Sequence, residues 1–286
     1  MYSQGQWVIP LDEYIRDPAP APSLSAGIAH RLLSQSPQHA WLAHPRLNSN
    51  WRPDSNEAAE IGTIAHALLL EGDGSRVVQV HADDWRSKAA RSSRDAIRQA
   101  GRLPVLANKL YDIVDMVEHA KRQLATSELG DILAPGAGDI EQTFLWQEDD
   151  VWHRSRPDWI SADRRVMVDY KTTSGSAEPN AWARGSCWTL GQYLQAALAI
   201  RGNDAITHPP PHDVTWVFAV QEIEAPYALS LVGLSPVYLD FAFRQLDMAR
   251  KLWATCLATD RWPGYPSRVA YIEPPGFALY QQEDRE

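Results

Sequence analysis

The stretch from residue 140 to residue 171 constrains the fold more than any other part of the chain. Residues 140–146, 151–160 and 165–170 are rich in aromatic and branched side chains, and two polar pieces, Glu148-Asp149-Asp150 and Ser161-Ala162-Asp163-Arg164, separate them. Such runs suit a pleated surface, and short polar turns between them predict an antiparallel meander. Asp169 and Lys171 are two apart on the last strand, so they share a face. A turn between Asp163 and Arg164 sets Asp158 opposite Asp169. Carboxylates facing each other across a ladder repel unless a cation lies between them. A hard divalent ion resolves that conflict, and Mg²⁺ commonly uses one or two carboxylates. Lys171 could then orient or help deprotonate a water aimed at phosphorus. The competing reading is a surface hairpin with an Asp–Lys ion pair worth ~0–1 kcal/mol.

Helical patterns flank the meander. Ser25 is an N-cap candidate for a helix through Gln35, and a second short helix carries His39, Trp41 and Leu42. Residues 57–71 place Ile61, Ala65, Leu68 and Leu69 on one apolar face and end at Gly72-Asp73-Gly74. Further helices are predicted over 106–124 and 188–200, the latter burying Leu190, Leu194 and Leu198 and leaving Gln192 and Gln195 on another face. Residues 214–223 and 227–234 read as a hairpin, and Ser235-Pro236 opens a long helix to about Thr259. The expected fold is α/β (α+β): a central mixed sheet with an antiparallel meander, covered by helices. Residues 1–23, with Pro10, Pro18, Pro20 and Pro22, are expected as an extended arm without helix. Residues 24–286 then form one domain with a proline-rich tail.

The formal net charge of −9 argues against a nucleic-acid partner on its face. The local charge reverses between Arg86 and Arg102, where Lys88, Arg91, Arg94 and Arg98 recur at helical steps and make one cationic face. That face is either a DNA contact or a solvated surface. The two cysteines, Cys187 and Cys256, cannot ligate zinc or an iron–sulfur cluster by themselves. No P-loop is present, so ATP is not expected. No basic start with an apolar run opens the chain, and no stretch reaches the roughly 20 apolar residues of a membrane span. A cytoplasmic protein is expected.

Arg156-Pro157-Asp158 followed by Val168-Asp169-Tyr170-Lys171 and a helix resembles the core of PD-(D/E)XK nucleases. The likeness favours the RecE-like (exonuclease VIII-like) phage and prophage branch. Gly62-Thr63-Ile64-Ala65-His66-Ala67-Leu68-Leu69-Leu70-Glu71 resembles its G-T-x-x-H-x-L-L-L-E helix, and Asp169-Tyr170-Lys171-Thr172-Thr173 its D-x-K-T-T. Residues 24–45 resemble its opening helices, and residues 85–91 and 100–102 its charged segment. The resemblance implies Asp158 and Asp169 as metal carboxylates, the Tyr170 carbonyl as a further ligand, Lys171 as the water-positioning cation and His66 as an additional ligand. Glu141 matches an acidic position that binds metal directly or through water, the alternative being a solvated strand end. Gln195 matches the glutamine of Q-x-x-x-Y, which implies a DNA-binding place near the active site and the DNA backbone, although Ala199 replaces the tyrosine. His30 and His39 have no such support and are read as structural.

The activity implied is Mg²⁺-dependent hydrolysis, with Mn²⁺ as a substitute, from double-stranded DNA ends 5′ to 3′. A ring-like homo-oligomer and a RecT-type annealing partner follow from the family. An endonuclease on the same core, or a protein that binds DNA ends without cutting, are the alternatives.

Overall fold

Two strand pairs that read as one continuous meander divide between two sheets. In the computed structural model, which describes residues 1–53, 57–72, 74–130, 132, 134, 136–208, 210 and 213–274, the N-terminal part holds strand β1 (Gly5–Val8) and helices α1 (Leu11–Ile15), α2 (Ala26–Ser34), α3 (Pro37–Ala43) and α4 (Glu57–His66). Strand β2 (Val77–Val80), α5 (Lys88–Gln99), β3 (Leu103–Leu106) and α6 (Ala107–Ala125) follow. The meander comprises β4 (Gly138–Ile140), β5 (Gln142–Glu148), β6 (Val151–Ser155), β7 (Trp159–Ser161) and β8 (Val166–Thr173). The remainder is α7 (Pro179–Trp182), α8 (Gln192–Ile206), β9 (Thr215–Glu222), β10 (Leu229–Gly233) and α9 (Pro236–Thr259).

The five-stranded sheet runs β10-β9-β8-β7-β4, while β5 pairs with β1 and β6 in a separate three-stranded sheet. The expectation of a single meander is therefore corrected. Proline lacks the N–H of a central ladder residue, so Pro157 ends one ladder before Trp159 begins the next. Glu141 makes the matching break in the neighbouring strand with a left-handed φ of 53°. Strands β8 and β9 are parallel and the other pairs of the larger sheet antiparallel, which makes the sheet mixed as expected.

Helices cover both faces of that sheet. Side chains of α2, α8 and α9 form a core with Met167, Trp216, Phe218 and Val220. On the opposite face α4 and α6 pack on Trp159, Val168, Tyr170 and Ala219. Serine side chains cap α2, α3, α5 and α9, with Ser25 and Ser235 in the expected places. Leu194 and Leu198 are buried, but Leu190 is 62% exposed, against expectation. Gly191 takes a left-handed φ of 65° and breaks the helical period between Leu190 and α8.

The N-terminal segment is not a helix-free arm. It contains β1 and α1, and Ile9 packs with Ala19 and Leu145 in a small core of its own. Buried Asp17 ties it to the body, accepting from Ser23 Oγ at 2.6 Å and lying 3.2 Å from His44 Nε2 and 3.3 Å from Arg154 Nη1. After α9 the tail runs without helix or strand, Trp262 packing on Trp253 and Tyr265 on His39. The expected tail beyond Pro274 lies outside the described residues. Among those residues no helix is long and apolar enough to cross a membrane.

Candidate active site

The two strand breaks meet. Glu141 donates its backbone N–H to the Asp158 carbonyl at 2.9 Å, so both acidic side chains leave the sheets at one level. Strand β7 pairs with β8 through Trp159–Val168 and Ile160–Met167. That is the register set by a turn between Asp163 and Arg164. The same register carries Asp158 toward Asp169. Rather than extending the ladder, Asp158 turns its carboxylate onto the sheet edge, where Oδ2 accepts the Tyr170 N–H at 2.7 Å.

Alternation along β8 separates the roles of its residues. Tyr170 points to the α6 face, where its phenol donates to Gln221 Oε1 at 2.6 Å. Asp169 and Lys171 point the other way, the aspartate fully buried and the lysine 23% exposed at its side chain. Lys171 Nζ pairs with Asp169 Oδ2, and Gln195 Nε2 from α8 donates to Asp169 Oδ1. Gln195 thus reaches the acidic centre although Ala199 is fully buried in the core.

Helix α4 brings in His66. A Cβ on Gly62 would lie 2.9 Å from Thr172 Oγ1, so glycine permits the close approach of α4 to β8. His66 Nε2 lies 3.1 Å from Asp158 Oδ1, and Nδ1 lies 3.3 Å from Glu141 Oε1 and 3.9 Å from Glu71 Oε1. Arg156 binds Glu141, and Arg76 Nη1 binds Glu71 at 2.7 Å. Glu71, Arg76 and Arg156 were not among the expected site residues. Glu71 closes the G-T-x-x-H-x-L-L-L-E motif, which was the available signal. His30 and His39 lie outside this constellation, contacting Ser34 and Ser36 respectively.

Burial works against a charged imidazole at His66, but Asp158, Glu141 and Asp169 outweigh it and push its pKa up to about 9. Burial and then the neighbouring Asp158 raise the Asp169 carboxyl, with Lys171 and His66 opposing. Asp158 moves the other way: despite burial, His66, Lys171 and the Tyr170 N–H hold it below the usual carboxylate range. Lys171 is itself raised, since Asp169 and Asp158 outweigh its burial. Two adjacent carboxylates, Asp169 buried and Asp158 partly so, with an imidazole form a mixed oxygen and nitrogen donor set that suits a hard or borderline divalent cation. Among the described residues, His66, Glu71 and Glu141 place possible ligand atoms within 4.8 Å of one another. This triad overlaps the expected set without coinciding with it.

A cleft of about 1860 Å³ opens over these residues. Lys171 and eight arginines line it, among them Arg16, Arg31, Arg52, Arg102 and Arg154, against Asp12, Glu71, Glu141 and Asp158. An acidic chain therefore carries a basic cleft. Of the expected cationic row on α5, Arg98 borders the cleft and pairs with Glu60. Arg94 lies over the Trp85 ring at 5.6 Å, and Lys88 and Arg91 are exposed without lining it.

Comparison with known proteins agrees with this architecture. No curated protein matches the sequence. A protein from Eubacterium rectale, provisionally named an exonuclease, superposes with a TM-score of 0.59 at 10% identity, over 96% of this chain and 98% of the other. A phage-related exonuclease from Haemophilus somnus gives a TM-score of 0.30 at 9% identity, over 73% of this chain and 98% of the other. The first of these likenesses concerns the fold. Residues 30–275 match the family described as a PDDEXK-like domain of unknown function (DUF3799), and the match takes in every residue of the acidic centre. The chain belongs to that family of PDDEXK-like domains.

Proposed function

We propose that the chain is a divalent-metal-dependent exonuclease that hydrolyses phosphodiester bonds from double-stranded DNA ends, 5′ to 3′, as RecE-like enzymes do. The observation that carries this reading is the meeting of Asp158, Asp169, Lys171 and His66 at the floor of an arginine-lined cleft. A bound Mg²⁺ or Mn²⁺ would stabilise charge developing on the scissile phosphate and acidify a water. Asp158, Asp169, the Tyr170 carbonyl and His66 Nε2 are the groups assigned to hold the ion, with Glu141 acting on it through water. Lys171, freed from Asp169 once the cation takes over that charge, would orient the attacking water. Gln195 would keep Asp169 aligned from α8.

The arginines of the cleft would follow the DNA backbone, and the α2 N-terminus, whose Ser25, Ala26 and Gly27 border the cleft, adds backbone N–H groups suited to phosphate. The likeness to RecE extends the proposal to a ring-like homo-oligomer, a RecT-type annealing partner and a cytoplasmic protein of one domain. An endonuclease built on the same core is the second reading, because the acidic centre serves end-dependent and internal cutters alike.

Incubation of linear, nicked and covalently closed forms of one plasmid with Mg²⁺ tests the proposal. Acid-soluble nucleotide is expected from the linear form, with the closed circle left intact. Early linearisation of the closed circle would select the endonuclease, and no cleavage of any form would remove the nuclease.

A further inference from the structure

Glu71 reaches His66 through an irregular turn. In an α-helix successive side chains rotate by about 100°, so residues five apart point roughly 140° from each other. Glu71 would then face away from His66. The chain instead continues α4 as a π-helical turn, Ala67–Glu71, which ends at Gly72 with a left-handed φ of 63°. Such turns, bonded from i to i+5, are rare and occur frequently at functional sites. Their wider winding returns the fifth residue toward the face of the first. Glu71 Oε1 thereby reaches 3.9 Å from His66 Nδ1, an ion-pair separation, with its side chain only 18% exposed.

The surroundings decide between two uses of this group. The ligand atoms of His66, Glu71 and Glu141 lie within 4.8 Å of one another and could hold an ion of their own. Each carboxylate, however, already has a guanidinium: Arg76 on Glu71 and Arg156 on Glu141. A second divalent ion would sit among carboxylates whose charge is spent and close to two fixed cations. Holding a proton on His66 Nδ1 requires nothing further, since Glu141 lies on that nitrogen at 3.3 Å and Glu71 adds its charge beside it.

We infer that Glu71 is a positioning residue: with Glu141 it keeps the imidazole proton on Nδ1 and so turns His66 Nε2 toward Asp158 as a ligand. Nε2 is the nitrogen 3.1 Å from Asp158 Oδ1. Ligating histidines almost always donate their second N–H to an acceptor, and losing that partner typically weakens metal binding 10–100-fold. The inference rests on the proposed metal centre. It adds a residue to which that proposal gives no role.

The test is Mn²⁺ binding by calorimetry on the full chain and on Glu71→Gln, which preserves shape and removes charge. Melting temperatures without metal check the fold, and ¹⁵N spectra of the Mg²⁺-loaded proteins read the His66 tautomer. The expected result is about 10-fold weaker Mn²⁺ binding at unchanged stoichiometry, an unchanged melting temperature and a reduced share of the Nδ1–H form, which Glu141 alone then supports. Affinity within twofold of the unsubstituted chain, or an unchanged tautomer, would overturn the role. So would a fall from two bound ions to one, which would make Glu71 a ligand of a second cation. Absence of Mn²⁺ binding by the unsubstituted chain would overturn the metal centre itself, and the role of Glu71 with it.

Discussion

Gly62 lies so close to Thr172 that a methyl group on its Cα would come within 2.9 Å of Oγ1. Thr172 is β-branched and belongs to a paired strand, so it cannot swing aside freely. Gly62→Ala should therefore lift α4 from β8. Overpacking of this kind costs about 1–3 kcal/mol, and alanine recovers about 1 kcal/mol of helix propensity. The stability change should be small while His66 moves relative to Asp158. We expect turnover to fall by about 10-fold or more, since small misplacements are costly in catalysis. Adding Thr172→Ala to Gly62→Ala should restore most of it. Turnover and melting temperature measured on both single variants and the double variant check this.

Asp169→Asn should separate stability from activity. The native side chain is fully buried beside Asp158, and the charge of one carboxylate raises the cost of ionising the other. Removing that repulsion should leave the metal-free protein melting no lower than the native one at pH 8. Mg²⁺ should raise the melting temperature of the native protein but not that of the variant. Turnover should be lost in Asp169→Asn, and Lys171→Ala should lower it about 10²–10⁴-fold. Retained turnover in either would remove that residue from the centre.

Local patterns made much of this molecule legible in its sequence. Ser25 and Ser235 cap the helices expected to start there, and the turn at Asp163-Arg164 sets the β7–β8 register that brings Asp158 toward Asp169. What escaped was set by distant partners. Trp7 pairs with Thr143, and nothing near residue 7 announces a strand acquired from so far along the chain. Pro157 and Glu141 lie in runs whose composition stays strand-like, so the transfer between sheets was hidden. In α8 the buried residues go nearly all round the helix, which erases the periodicity from which a face is read. The π-turn leaves no spacing signal, so only the G-T-x-x-H-x-L-L-L-E motif points to Glu71.

His153 should make the fold sensitive to acid. Its ring is fully buried and stacks on Trp146 at 5.1 Å, and burial, with Arg201 and Arg250 adding to it, pushes its pKa down to about 3. The unfolded chain takes up this proton near pH 6.5, whereas the folded chain refuses it until about pH 3. Stability is therefore intact above about pH 6.5 and falls as pH drops toward 3, by up to about 1.4 kcal/mol per unit. His44, lowered by burial, acts in the same direction. Asp17, held at about 2 because His44, Arg154 and Ser23 outweigh its burial, loses its contribution only below about pH 4. His153→Leu should flatten the dependence between pH 6 and pH 4, as read by urea unfolding at several pH values. An unchanged slope would show that the proton is accommodated in the folded state.

The cleft and the α5 surface make different predictions about DNA binding. Arg16, Arg52 and Arg102 line the cleft above the acidic centre, whereas Lys88 and Arg91 are exposed on α5 and do not line it. Each phosphate contact releases condensed counterions, so losing one reduces the slope of log affinity against log salt by about 0.9 on duplex DNA. If DNA occupies the cleft, Arg16→Gln, Arg52→Gln and Arg102→Gln combined should flatten that slope by up to about 2.7 and weaken binding most at low salt. Lys88→Gln with Arg91→Gln should change it little. Both sets are compared by titrating labelled duplex in Ca²⁺, to limit cleavage, at four salt concentrations. A flattened slope confined to the α5 pair would move the DNA out of the cleft and onto that helix. Flattening in both sets would extend the path from the acidic centre past Arg98, the one member of the α5 row that borders the cleft.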